Sequence, residues 1–424
     1  MNIDAFPQLE IVPVNGPLKG RVVLPGSKSL TNRAFLVAAL AKGDSRLSGV
    51  LSSDDTVYMA AALRDMGVGI DSEDETTLTV RSSGKLKAPA KPLFLGNAGT
   101  ATRFLTAAVA LADGEVVVDG DEHMRKRPIG PLVEALTRLG VEVSAPTGCP
   151  PVTVRARGGF SGDVVEIDAN LSSQYVSALL ILAACGEKPV EVRLRGDQAI
   201  GGRGYIDLTT RCMEAFGAKV SMPQPGVWRV EPTGYAAADY LVEPDASSCT
   251  YLWAAEVLTA GEITFQMDTT ALTQPDAKSR DVIMTWPNMP AVIDGSQMQD
   301  AVPTLAVLAA FNNTPVRFVG IANLRVKECD RVSALSQGLN AIREGLAHEE
   351  GDDLIVHADP GLIGATTKAV IDTHNDHRIA MCFALAGLMM SGVVIDNPKC
   401  VSKTFPGYWD VLESLGVGLK LPVL

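Results

Sequence analysis

The chain has 424 residues, 46% of them hydrophobic and 20% charged, with a formal net charge of −12. That length suits two domains rather than one core, and the acidic balance disfavours nucleic acid as a partner. The opening MNIDAFPQLE has no basic or apolar leader segment, and the longest apolar run, residues 379–390, falls short of the ~20 residues that span a bilayer. A cytoplasmic protein without a membrane partner is expected. The seven cysteines are scattered, with no CxxC pair and no histidine cluster, so neither a disulfide framework nor a zinc site is expected.

The first long element is LPGSKSLTNRAFLVAALAKG, residues 24–43. Ser27, Lys28, Ser29, Thr31, Asn32 and Arg33 crowd its head, and positions 34–41 carry only apolar side chains. A helix apolar on every face is buried. A buried cation without a partner costs several kcal/mol, so Lys28 and Arg33 are expected to face a ligand rather than the core.

The same pattern returns as GNAGTATRFLTAAVALA from Gly96, LSSQYVSALLILAA from Leu171 and DASSCTYLWAAEVLTA from Asp245. It returns again as DAVPTLAVLAAF from Asp300 and NDHRIAMCFALAGL from Asn375. Amphipathic helices closed by Gly67, Gly140, Gly217 and Gly416 follow most copies, each leading into a β-rich stretch. Every unit reads as strand, buried helix, strand, exposed helix and strands. Six units predict two α/β domains of three, with helices inside and sheets outside. The fourth contains TWPNMPAVIDG, where no clean amphipathic period exists.

Serine and aspartate caps account for some of these helix heads, Ser247–Ser248 among them. Caps do not account for Lys28, Arg33, Arg103, His377 and Arg378. A helix N-terminus attracts anions through its unpaired N–H groups and dipole, so several cationic heads predict a polyanionic ligand. HMRKRPIG, residues 123–130, reads from its own composition as a solvated charge run before a proline that could open a helix. NLRVKECDR, residues 323–331, reads equally as a surface helix start laced with salt bridges, and Lys403 falls in a turn. GSKS is not a phosphate-binding P-loop, because Ser27 separates Gly26 from Lys28 and no glycine stands at the required offset.

PGSKSLTNRA, GNAGTATR, KRPIG, SSQYVSALL, NLRVKECDR, NDHRIAMCF and SKTFPGYW stand in one order over essentially the whole chain. In that wording and order the sequence resembles the EPSP synthase family of enolpyruvyl transferases. The resemblance implies a two-domain inside-out α/β barrel of six βαβαββ repeats, three per domain. Residues 26–240 would form the shikimate 3-phosphate side. Residues 1–25 plus 241–424 would form a discontinuous domain carrying the acid/base groups and the phosphoenolpyruvate clamp, with the active site in the cleft between the domains. The implied reaction moves the enolpyruvyl group of phosphoenolpyruvate to the 5-hydroxyl of shikimate 3-phosphate, through a tetrahedral intermediate and without a cofactor or metal. A monomer is expected.

The resemblance also assigns roles. Lys28 would touch both substrates and donate a proton, Asp300 would accept the hydroxyl proton, and Glu328 would handle protons at the vinyl carbon. Ser29 and Arg33 would hold the shikimate carboxylate, while Ser172, Ser173 and Lys327 would hold the 3-phosphate. Gln174 would lie between the substrates, and Asn323 and Asp300 would touch shikimate 3-phosphate. Gly99 would let phosphoenolpyruvate, or glyphosate in its place, approach the backbone. Arg127, Arg331, Arg378 and Lys403 would clamp the phosphate and carboxylate of phosphoenolpyruvate. Three positions depart from the family pattern: Phe104 replaces a proline, Gly202 replaces a phosphate-binding serine beside Tyr205, and His123 replaces an arginine. The alternatives are the sister transferase acting on UDP-N-acetylglucosamine, whose loop cysteine is missing from GDEHMRKRPIG, and a non-catalytic binder of phosphorylated metabolites.

Overall fold

A helix with no polar face has to be covered on every side, and that requirement organises both halves of the chain. The computed structural model describes residues 6–196 and 200–422, so MNIDA, which bears on the leader reading, lies outside the described residues. The fold is mixed α/β, and the chain divides into two units. One is Gly26–Glu243; the other joins the residues up to Pro25 with those from Pro244 onward. Residues 241–243 group with the first unit because Asp239–Leu241 pairs in parallel with Ala41–Ser48.

The Gly26–Glu243 unit carries α1 (Lys28–Leu40), α2 (Asp54–Asp65), α3 (Gly99–Ala108), α4 (Gly130–Arg138), α5 (Gln174–Ala183) and α6 (Gly204–Ala215). All of α3, and all but the first residue of α5, is buried. In α1 only Ser29 escapes full burial. By contrast α2 and α4 bury one stripe each, Met59, Ala62 and Leu63 in the first and Leu132, Ala135 and Leu136 in the second. Three sheets share one pattern, a parallel pair followed by two antiparallel steps. Thus Leu93–Phe94 runs parallel to Asp113–Asp119, which pairs with Val152–Arg157 and then Glu142–Ser144.

The second unit carries α7 (Ala246–Thr259), α8 (Ser279–Ile283), α9 (Val302–Ala310), α10 (Arg331–Ile342), α11 (His377–Met389) and α12 (Tyr408–Ser414). Here α9 is wholly buried, and α7 and α11 nearly so. The N-terminal strand Gln8–Val12 lies between Val394–Asp396 and Gly418–Lys420 in a four-stranded sheet. In the irregular fourth repeat the buried helix α7 is followed only by the short helix α8, and its sheet is the two-stranded pair of Lys19–Val22 with Glu262–Phe265.

Local signals resolve as follows. Gly67, Gly140, Gly217 and Gly416 all have φ between +85° and +92°, the left-handed stop expected of them. The cap of α7 is Asp245, which accepts from Ser248 N–H at 2.8 Å, so Ser247 and Ser248 lie inside the first turn rather than capping it. Pro128 does not open a helix; α4 starts at Gly130 with Pro131 in its first turn. Lys403 is not in a simple turn but ends the buried 3-10 segment Pro398–Lys403.

Close packing in the second unit depends on Gly387 of α11. A Cβ there would stand 2.4 Å from Ile11 Cβ, an atom fixed to the strand backbone that no rotamer can move. Gly387→Ala should therefore destabilise this unit by about 1–3 kcal/mol despite alanine's better helix propensity, read as a lower denaturant midpoint at unchanged m-value.

Candidate active site

The expected residues fall into one group in each unit. In Gly26–Glu243, Lys28 is the first residue of α1, and its ammonium lies 3.4 Å from the buried carboxylate of Asp55 in α2. Arg33 lies one turn further on and is 2% exposed. Its guanidinium donates to Thr209 Oγ1 at 2.8 Å, the Ser29 carbonyl at 2.8 Å and the Tyr205 carbonyl at 3.0 Å. The Phe104 ring lies 5.2 Å beneath it. Among the described residues no carboxylate pairs with Arg33, and burial pulls its pKa down to about 10. This side chain is stored with its hydrogen bonds partly met and its charge unmet, the condition in which an arriving anion gains most.

Two further heads come together beside it. Neither cap residue, Ala98 of α3 nor Ser173 of α5, caps its helix with a side chain. At α3, a Cβ on Gly99 would meet Arg103 Nη1 at 2.7 Å and Arg127 Nη2 at 2.8 Å, so only glycine lets both guanidiniums converge there. Arg103 donates to the Gly99 carbonyl, and Arg127 to Asn97 Oδ1. Gln174, the first residue of α5, donates to Thr100 Oγ1 at 3.1 Å and joins the two heads. Ser172 Oγ accepts the Gln174 N–H, and Ser173 is buried next to it. Gly202 has φ of +68°, in the left-handed region where a serine would be strained. Arg125, by contrast, pairs with Asp119 on the surface, as a solvated charge run would, and His123 lies 3.7 Å from Glu122.

In the second unit one guanidinium gathers three carboxylates. Arg331, the first residue of α10, donates Nε to Asp376 at 2.7 Å, Nη1 to Asp300 at 3.0 Å and Nη2 to Glu328 at 2.7 Å. Arg378, the second residue of α11, donates to Asp300 Oδ2 at 2.8 Å and lies 3.4 Å from the Tyr251 hydroxyl. Lys403 stands 3.8 Å from Glu328, and Lys327 donates to Gln299 at 3.3 Å. Asn323 is buried, and among the described residues its side-chain oxygen has no partner. Burial alone would lower the pKa of Arg331, but Asp376, Glu328 and Asp300 together outweigh it and raise the value. The neighbouring Cys329 thiol is pushed up by burial and then by Asp376. NLRVKECDR thus serves both readings: Arg325 forms surface pairs with Asp330, Glu349 and Asp352, while Arg331 is interior.

Asp55 and Asp376 are absent from the sequence-derived set. Asp55 had a signal, since it lies four residues before Met59 on the apolar stripe of α2. Asp376 reads as an ordinary cap, and it does accept the Arg378 N–H at 2.9 Å. Its second role, holding Arg331, is invisible in the order of residues. Among the described residues no three histidine, cysteine or acidic side chains are arranged to hold a metal ion, and no helix is long and apolar enough to cross a membrane.

Comparison with known proteins covers nearly the whole chain. The family described as EPSP synthase (3-phosphoshikimate 1-carboxyvinyltransferase) matches residues 12–412. A protein of that enzymatic name from Rhizobium etli is 67% identical over 97% of this chain and 97% of its own length. Its counterpart from Pseudomonas savastanoi is 65% identical over 97% and 98%. A solved EPSP synthase from Acinetobacter baumannii shares the fold, with a TM-score of 0.78 at 24% identity, covering 98% of this chain and all of that one.

Removing Asp376 should be costly because it leaves a buried guanidinium short of one anion. Asp376→Ala is expected to lose about 3 kcal/mol of stability, the lower end for breaking a buried pair since Asp300 and Glu328 remain. Chemical denaturation checks the value.

Proposed function

The chain belongs to the EPSP synthase family, and on that premise we propose how its residues divide the family's chemistry. The reaction transfers the enolpyruvyl group of phosphoenolpyruvate to the 5-hydroxyl of shikimate 3-phosphate and releases phosphate, a step of aromatic amino acid biosynthesis. In the proposed sequence the 5-hydroxyl oxygen attacks C2 of phosphoenolpyruvate while C3 takes a proton, and the hydroxyl proton goes to Asp300. The tetrahedral intermediate then loses phosphate from C2 as the new methyl group gives a proton back, restoring the double bond. Lys28 and Glu328 serve C3. Arg127, Arg331, Arg378 and Lys403 take the phosphate and carboxylate of phosphoenolpyruvate, with Gly99 and Gln174 against them. Ser29 and Arg33 take the shikimate carboxylate. Ser172, Ser173 and Lys327 take the 3-phosphate, and Asn323 assists.

One observation carries this reading: Asp300 and Glu328 both hold Arg331, so the proton-transfer groups and part of the phosphate clamp occupy one buried cluster. Three cations and three carboxylates meet there in Arg331, Arg378, Lys403, Asp300, Glu328 and Asp376. A phosphate or carboxylate arriving there would compete with Asp300 and Glu328 for the donors of Arg331.

The family's six βαβαββ repeats correspond, on this reading, to the six all-apolar helices with their sheets, and the architecture is its inside-out α/β barrel. Shikimate 3-phosphate belongs to the Gly26–Glu243 unit and the acid/base groups to the other. Both sets act on one substrate pair, in a cytoplasmic monomer. Phe104 cushions Arg33 where the family has proline, and the glycine at 202 leaves the 3-phosphate to the two serines and Lys327.

The direct test measures phosphate release from phosphoenolpyruvate in EDTA-containing buffer, with shikimate 3-phosphate or UDP-N-acetylglucosamine as acceptor. Release with the shikimate ester alone is expected. Release with neither, alongside retained binding of the ester, would make the chain a non-catalytic binder. Arg33→Met should raise KM for shikimate 3-phosphate about 100-fold. It should leave the ligand-free melting temperature unchanged or higher, because an apolar isostere removes an uncompensated buried charge.

A further inference from the structure

Behind Asp300 lies a carboxylate to which the roles above give no part. Asp276, in the 3-10 turn Pro275–Lys278 that leads into α8, is 1% exposed. Its Oδ1 accepts the backbone N–H of Asp300 at 3.0 Å and that of Ala301 at 3.1 Å. Its Oδ2 lies 3.4 Å from the Ser247 hydroxyl in the first turn of α7. The turn is itself anchored. Ser279 Oγ donates to the Asp276 carbonyl at 2.6 Å. Gln274 accepts the Ala246 N–H at 3.2 Å and donates to the Pro244 carbonyl at 2.6 Å.

Asp300 is therefore fixed at two levels. Its carboxylate is aimed by Arg331 and Arg378, and its backbone is pinned by Asp276. The guanidiniums alone cannot do both, because a phosphate arriving at Arg331 and Arg378 competes for the same donors. Once they turn to the substrate, the backbone pin is what keeps the carboxylate within reach of a hydroxyl proton. Proton transfer needs a heavy-atom approach of about 2.6–3.2 Å, and a misplacement of about 1 Å costs on the order of 100-fold. We propose that Asp276 is a positioning residue for the transfer reaction, acting through Asp300 by fixing its backbone. This rests on the reading of Asp300 as the acceptor of the hydroxyl proton.

The experiment compares Asp276→Ala, Asp276→Asn, Asp300→Ala and the double variant Asp276→Ala/Asp300→Ala in the full chain. Turnover is followed by phosphate release with both substrates saturating and is normalised to folded protein. Asp276→Ala should lose about 10- to 100-fold in kcat with both KM values within about threefold of the parent. Asp276→Asn, whose amide oxygen still accepts the two N–H groups, should recover most of that loss. The double variant should be no slower than Asp300→Ala, because a residue acting through Asp300 has nothing left to position.

Parental kcat in Asp276→Ala, or losses that multiply in the double variant, would overturn the proposal. Should Asp276→Ala fail to fold, Asp276→Glu decides: the carboxylate displaced by one methylene should lower kcat at near-parental KM, and parental kcat would overturn it. Full turnover in Asp300→Ala would instead overturn the base assignment on which the proposal stands.

Discussion

A guanidinium can be kept inside a protein only if something answers its charge, and the two units answer it differently. In the second unit Arg331 is surrounded by Asp376, Asp300 and Glu328, and the attraction overrides the cost of burial. In the first unit Arg33 meets carbonyls, a hydroxyl and an aromatic ring but no acid, and its pKa falls to about 10. The first arrangement is self-sufficient and stable without a ligand. The second keeps its charge unmet at a cost in burial, the condition the proposed carboxylate site would draw on. Most other features near these residues serve one of the two: the heads of α3 and α5, the glycine at 99, and the carboxylates before α9, α10 and α11.

The same contrast explains why all-apolar helices carry charged heads at all. A helix such as α1 is covered along its length by sheet and helix, so only its terminus can reach a ligand. On the proposed reading, chemistry at that terminus has the rest of the helix as a rigid mount. The mount is stiff because its side chains are small and close-packed; a methyl group at Gly387 already collides with the strand carrying Ile11. Rigidity at the heads therefore comes in part from the core beneath them.

How much of this could be read in the residues depends on how far each partner lies along the chain. The buried helices were legible because an unbroken apolar run in a soluble composition has one outcome, and the glycine stops because only φ > 0 explains them at those places. Lys28 and Arg33 were legible as cations at the heads of apolar helices, whereas Arg331, inside NLRVKECDR, read equally well as a surface charge. Their partners were not legible. Asp376 lies 45 positions from Arg331, and Asp276 lies 24 from the Asp300 amide it holds, beyond any helical spacing. Asp55 was within reach, since a carboxylate four residues before Met59 breaks the stripe of α2. The second helix of the fourth repeat resisted because it is only Ser279–Ile283, too short to display a period.

The strand Gln8–Val12 sits in the middle of its sheet, with Val394–Asp396 on one side and Gly418–Lys420 on the other. In the chain it precedes the whole Gly26–Glu243 unit, and both neighbours follow that unit. The Gly26–Glu243 unit is continuous and can close as soon as its own residues are out, whereas the other must hold an apolar strand unpaired throughout. Vectorial synthesis thus imposes an order of assembly: the unit carrying Arg33 can mature first, and the one carrying Arg331 waits for the strands that flank Gln8–Val12.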